Sequence, residues 1–198
     1  MHEIEDLIYV NDNVLTEDFC YHVIRKFNDD LRQTDGHIGS GYAPEIKQSK
    51  DLFISNKEEW ESEDQIFADS LSEQVKLYTT YCRSINSALS FGEELNDSGY
   101  QIQRTEPKGF YTWHSDDYIT LDEGERTLTF IWYLNDIELG GGYTEFLTGR
   151  KVYPKKGRFV LFPSTWTYLH RGYPPREETK YLVTGWLHKK IHDGKNEK

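Results

Sequence analysis

The sequence predicts an α+β chain in which a helical first half supports an all-β sandwich or barrel in the second. Three observations carry this. Apolar residues in the first half recur at helical spacing on single faces. From Tyr100 onward the pattern changes to short runs punctuated by Gly, Asp, Asn and Pro. The helices come first and the strands follow, with no internal repeat or low-complexity segment, which is the order of an α+β chain.

Each element has its own justification. Thr16 is placed as the N-cap of the first helix, with Glu17 and Asp18 beside its positive end. Phe19, Val23, Phe27 and Leu31 then recur at four-residue spacing on one face. A second helix is predicted from about Glu58 into the Leu89 region, on the stripe Phe67, Leu71, Val75, Tyr78, Cys82, Ile85 and Leu89. Tyr78 fits that stripe if its ring packs inward and its hydroxyl finds a partner. Between the helices, Asp35 to Lys50 has loop composition and reads as a lid, a binding loop or a plain surface connection. Strands are predicted at Tyr100–Thr105, Phe110–Trp113, Thr127–Asn135, Tyr143–Phe146, Arg158–Phe162 and Tyr181–His188. The polar segment from Ile191 is expected to fray. The 198 residues thus read as a single domain: 1–98 mainly helical support with the loop or lid, 99–189 the core, 190–198 a polar tail.

Composition narrows the function. A net charge of −11 lacks the basic footprint of a duplex binder, so no nucleic-acid partner is expected. An anionic small molecule would need one specific cation, since the overall field repels it. Cys20 and Cys82 are too few for a disulfide framework or a structural zinc site and read as buried free thiols. There is no apolar run of membrane-spanning length and no basic n-region ahead of an apolar h-region, so a soluble, cytoplasmic protein is expected.

His114 and Asp116 stand two apart in Trp113-His114-Ser115-Asp116. In a strand, residues two apart project to one face, so the pair would form a chelate. With seven histidines in the chain the pair alone is weak and equally suits a surface turn. His170 follows the apolar strand ending at Pro163 and supplies a third donor from a later strand. Two histidines and one carboxylate leave three coordination positions open, the arrangement of non-haem Fe(II) oxygenases. His2, His22, His37, His188 and His192 read as structural or solvated. Ten residues after His170, Lys180 heads the apolar strand Tyr181-Leu182-Val183 and shares a face with Leu182, Thr184 and Trp186. It either faces solvent or holds the far carboxylate of a dicarboxylate as a compact point charge.

From Phe110 to His188 the chain resembles the prolyl 4-hydroxylase branch of the 2-oxoglutarate/Fe(II)-dependent dioxygenases. The likeness lies in Tyr111-Thr112-Trp113-His114-Ser115-Asp116, in Arg126 to Asn135, in Gly141-Gly142-Tyr143-Thr144-Glu145-Phe146, in Val152 to Arg158, and in His170 and Lys180. It implies a double-stranded β-helix, a cupin-like jelly-roll barrel flanked by helices. It implies Fe(II) at His114, Asp116 and His170, and Lys180 on the distal carboxylate of 2-oxoglutarate. Tyr111 and Thr144 would line the same pocket, with Trp186 as the aromatic residue beyond the lysine. Trp113, Phe130 and Trp132 are also available to line it or to fill the barrel. O2 is the implied co-reactant, ascorbate an accessory reductant, and a peptidyl proline the implied substrate, with release of succinate and CO2.

The sequence departs from the family where Arg104 and Thr105 stand in place of a tyrosine nine or ten residues before the first histidine. Lys180 stands where oxygen-sensing members carry arginine, so the closer likeness is to collagen-type and microbial enzymes. Should Lys180 not be the anchor, Arg176 and Arg104 come next. Three alternatives stay open: an oxygenase of another residue or a small molecule, a non-redox cupin-like metal or sugar binder, and a non-catalytic barrel.

Overall fold

The structure is a computed structural model and describes residues 6–91, 95–120 and 124–190. The chain runs through β1 (Tyr9–Asn11), α1 (Glu17–Asp29), β2 (Thr34–Asp35), β3 (His37–Ile38), β4 (Gly41–Tyr42), β5 (Lys50–Phe53), α2 (Glu61–Ile85) and β6 (Leu95–Asp97). It continues through β7 (Gln101–Thr105), β8 (Tyr111–His114), β9 (Ile119–Thr120), β10 (Gly124–Tyr133), β11 (Thr144–Phe146), β12 (Lys151–Val152), β13 (Phe159–Pro163), β14 (His170–Gly172) and β15 (Lys180–Lys189). The predicted polar tail from Ile191 lies outside the described residues.

Both helices begin and end for local reasons. Thr16 caps α1, its hydroxyl accepting from the Phe19 amide at 3.3 Å. The helix stops at Asp29 because the Asp30 carboxylate takes the Arg32 amide and guanidinium and the Trp60 indole N–H, which turns the chain. Leu31 therefore falls beyond the helix and is 97% exposed, against its predicted place in the stripe. Along α2 the side chains of Phe67, Leu71, Tyr78 and Cys82 are buried, and the Tyr78 hydroxyl donates to the Leu7 carbonyl at 3.0 Å. The segment predicted as loop is bordered by β2 and holds β3 and β4, and β5 and then β2 extend the large sheet beyond β7, so the first half is less helical than expected.

The large sheet has the order β1-β13-β10-β15-β7-β5-β2, with β6 and β9 added beside β15 and β10. The small sheet has the order β12-β11-β14-β8. The pairings are antiparallel, and the two sheets form the sandwich of a double-stranded β-helix, not a ring hydrogen-bonded all the way round. In β10 the residues Leu128, Phe130, Trp132 and, just beyond, Leu134 pack with Phe27 and Phe67 of the helices. Ile131 and Tyr133 point the other way and pack with Val160 and Phe162 of β13 and Phe146 and Val152 of the small sheet. The period of two thus divides one strand between two cores. Thr129 lies on the inner face, in register between Phe162 and Trp186. The Gly140-Gly141-Gly142 turn has φ of +92°, +80° and +70°, and a Cβ at Gly141 would lie 2.1 Å from the Pro174 carbonyl oxygen, so glycine is required there.

Candidate metal centre and its cavity

The two histidines arrive from neighbouring strands of the small sheet. His114 closes β8, His170 opens β14, and the two are direct partners in the ladder with ring centroids 4.3 Å apart. Asp116 arrives differently from the strand-alternation reading: β8 ends at His114, and Asp116 lies two residues past it. The carboxylate is brought in from the opposite sheet, where Thr129 Oγ1 donates to Asp116 Oδ2 at 2.8 Å. His114 Nε2 is 3.9 Å from Asp116 Oδ1 and His170 Nε2 is 3.6 Å from Asp116 Oδ2. One donor atom from each of the three residues lies within 4.8 Å of the others. An ion with bonds of about 2.0–2.2 Å fits between donors so spaced.

Each histidine is locked in the tautomer that a metal requires. The Nδ1 of His114 donates to the Thr112 carbonyl at 2.8 Å, and that of His170 to the Tyr168 carbonyl at 3.0 Å. A carbonyl only accepts, so both Nδ1 atoms carry hydrogen and both Nε2 lone pairs face inward. Burial, with the nearby His170, pushes His114 down to about 4. Burial opposes ionisation of Asp116, but His170, then His114 and Thr129, hold its carboxyl below the ordinary value. Both directions favour the ligating forms, a neutral imidazole and an ionised carboxylate.

The three donors open onto a cavity of about 490 Å³, which Tyr111, Thr144, Lys180 and Trp186 also line. Lys180 is 3% exposed, has no ion-pair partner among the described residues, and is pushed down to about 8 by burial. Tyr111 stacks on the His114 ring at 3.6 Å and 14°, and burial pushes its hydroxyl up to about 12. The buried Thr144 hydroxyl is 2.6 Å from the Tyr133 hydroxyl. Trp186 carries the Arg126 guanidinium 3.6 Å over its ring, and its indole N–H has no partner of hydrogen-bond geometry among the described residues.

The other aromatics named from sequence lie elsewhere. Trp113 faces outward, 42% exposed, beneath Arg171, because it alternates with the inward His114. Phe130 and Trp132 pack on the helix side. Arg104 also points away from the cavity, onto Phe27 and Glu106, whereas Thr105 and Gln103 line the wall. Arg176 lies against Gly140, outside the cavity lining.

Sequence reasoning missed six contributors. Lys47 and Asp51 form a buried ion pair of 2.6 Å in the cavity wall, with Ser49 and Gln101 donating to the same carboxylate. Nothing in a loop-like stretch marks that pair. Thr129 and Tyr133 were visible only as members of an apolar strand, although its alternation puts both on the inner face, and Arg126 only as the start of the family-like stretch. His37, read as structural or solvated, borders the cavity with Ile38 and Gly39 of the first hairpin.

Residues 100–188 match the family model of the 2OG-Fe(II) oxygenase superfamily. Chicken (Gallus gallus) prolyl 4-hydroxylase subunit alpha-1 is 29% identical over 112 residues, 52% of this chain. This chain spans about a fifth of that relative, 22% of its length. Among solved structures, the viral collagen prolyl hydroxylase of Paramecium bursaria Chlorella virus-1, a 2-oxoglutarate complex, is 22% identical with a TM-score of 0.66, over 92% of this chain and 96% of the other. A Pseudomonas putida prolyl-4-hydroxylase is 20% identical with a TM-score of 0.69, over 93% and 94%. A Trichoplax adhaerens prolyl hydroxylase, bound to a hypoxia inducible factor peptide fragment, is 18% identical with a TM-score of 0.71, over 92% and 84%. At these identities the solved structures establish the double-stranded β-helix fold.

Proposed function

We propose that this chain, with residues 100–188 as a 2OG-Fe(II) oxygenase region, is an Fe(II)- and 2-oxoglutarate-dependent oxygenase that hydroxylates a peptidyl proline. The observation that carries the reading is Lys180: a buried ammonium with no anion beside it among the described residues, in the same cavity as two histidines and a carboxylate. A metal or sugar binder without redox chemistry has no use for that cation. A dicarboxylate that chelates a metal at one end and meets an ammonium at the other does.

The residues divide the work. His114 Nε2, His170 Nε2 and one Asp116 oxygen hold Fe(II) and leave three positions free. Lys180 pairs with the distal carboxylate of 2-oxoglutarate. Thr144, steadied by Tyr133, lines the same cavity, and Tyr111 packs against His114 and limits water beside the metal. When bound, the iron and 2-oxoglutarate turn O2 into an oxidant for a C–H bond, with release of succinate and CO2. Ascorbate serves as accessory reductant. No side chain has to act as acid or base in that step, so the chain's contribution is binding, orientation and exclusion of water.

A prolyl substrate is supported by the relatives, whose names are those of prolyl hydroxylases, one with a peptide bound. Polyproline segments are extended and already ordered, so they lose little entropy on binding. Residues 35–50, which border the cavity through His37 and Gly39, are the proposed lid. Residues 1–98 are proposed as support, 99–189 as the catalytic core and 190–198 as a tail. A cytoplasmic setting belongs to the same reading: no helix among the described residues is long and apolar enough to cross a membrane, and both cysteines are free thiols. The test is mass spectrometry of proline-rich peptides after incubation with enzyme, Fe(II), ascorbate and 2-oxoglutarate. A gain of one oxygen on proline is expected. Succinate release without any peptide, or oxidation of a free amino acid with none on proline peptides, refutes the prolyl assignment and moves the substrate to a small molecule.

A further inference from the structure

We infer that Thr129, backed by Ser164, is a positioning residue that restricts Asp116 to metal ligation through one oxygen. The inference rests on the metal reading above and extends it to a residue outside the ligand set.

Thr129 is 2% exposed and Ser164 is 1% exposed. An inner-face residue of β10 among Ile131, Phe162 and Tyr133 would ordinarily be aliphatic, because a buried hydroxyl is unfavourable unless it is hydrogen-bonded. Here the hydroxyl makes two bonds. Thr129 Oγ1 lies 2.8 Å from Asp116 Oδ2 and 2.9 Å from Ser164 Oγ. An ionised carboxylate only accepts, so the single Thr129 proton points at Asp116, and Thr129 must accept from Ser164. The direction of both bonds is therefore set: Ser164 donates to Thr129, and Thr129 donates to Asp116. With all three groups buried, bulk water has little chance to replace either bond.

The consequence concerns coordination number. A carboxylate can bind a cation through one oxygen or two. Ligation through both would take one of the three positions that a two-histidine, one-carboxylate set leaves open. A chelating 2-oxo acid needs two of those positions and O2 needs the third. Each Asp116 oxygen faces one histidine, Oδ1 at 3.9 Å from His114 Nε2 and Oδ2 at 3.6 Å from His170 Nε2, and the Thr129 proton occupies a lone pair of Oδ2 alone, so the two oxygens are not equivalent toward the metal and Oδ1 is the one left without that bond. The relay thus keeps the third position available.

The test uses Co(II) alone as probe, followed by 2-oxoglutarate, on the full chain. Thr129→Val keeps the shape and removes the donor. It is expected to weaken Co(II) binding by about 10–100-fold, the usual effect of losing a group that orients a ligand. Its Co(II) visible spectrum is expected to differ from wild type, and to respond less to 2-oxoglutarate. Thr129→Ser should restore both, and Ser164→Ala should give a smaller loss of the same kind, which serves if Thr129→Val does not fold. Wild-type affinity and spectrum in both Thr129→Val and Ser164→Ala overturn the inference. Asp116→Ala separates this failure from that of the metal reading. If Asp116→Ala loses Co(II) and Thr129→Val does not, only the relay is wrong. If Asp116→Ala binds Co(II) as wild type does, the metal reading falls and the inference with it.

Discussion

Replacing Lys180 by methionine keeps the length of the side chain and removes the one ammonium that the cavity leaves unpaired among the described residues. Its value for 2-oxoglutarate can be worked from the structure. Burial lowers the lysine from 10.5 to about 8. If the distal carboxylate restores the ordinary value on binding, the recovered stabilisation is on the order of 3 kcal/mol, at about 1.4 kcal/mol per pH unit. That is close to the roughly 3–5 kcal/mol found on breaking a buried ion pair. Lys180→Met should therefore weaken 2-oxoglutarate binding by about two to three orders of magnitude. Calorimetry under anaerobic conditions with Mn(II) in the metal site measures this directly, and Mn(II) affinity itself should change little. A second readout has the opposite sign. Without 2-oxoglutarate the substitution removes an unpaired buried charge, so the ligand-free protein should melt at or above the wild-type temperature. A variant that binds 2-oxoglutarate within about threefold of wild type would refute the anchor. One that melts far below wild type would show that Lys180 is held by something other than its cavity.

The same lysine predicts a pH dependence. Between pH 8 and 10.5 the unfolded chain holds a proton that the folded, ligand-free protein has lost. Stability of the ligand-free protein should thus rise with pH across that window, while 2-oxoglutarate affinity falls about tenfold per unit above pH 8; Lys180→Met should show neither trend. Asp116→Ala should abolish Fe(II)-dependent succinate release yet melt within a few degrees of wild type, since the residue follows a strand end; wild-type turnover in a succinate assay would exclude the triad. Phe67→Ala removes a fully buried ring that touches Phe19, Tyr100 and Trp132. It should lower stability by about 3–5 kcal/mol in urea titrations, and a loss under 1 kcal/mol would mean that the helices are not docked on the sheet as described.

Much of the site was legible because strands and helices write their periods into the chain. The alternation Lys180, Leu182, Thr184, Trp186 marks one face of β15, and all four line the cavity. The same rule places Trp113 outside once His114 is inside, so naming both as cavity candidates set two readings of one strand against each other. Tyr111 shows the limit of that rule. It lies an odd number of residues from His114 yet stacks on its ring, and the β8–β14 ladder shifts register between the two. No local pattern announces such an irregularity.

By itself the sequence marked most of each helix face, the six long or apolar strands, and His114, Asp116, His170 and Lys180 as candidates for one site, because residue type, spacing within a segment and family likeness are written in the chain. Tertiary structure alone decided how the donors meet. Asp116 lies past its strand and is drawn in by Thr129 from the opposite sheet, 13 positions away in the chain. Lys47 and Asp51 become a buried pair only when a loop-like segment folds against β7. The two-residue strands β2, β3, β4, β9 and β12 have no pattern of their own and exist through their partners. Hydrogen-bond geometry and burial depend on what lies across the gap, and a one-dimensional period carries no record of that neighbour.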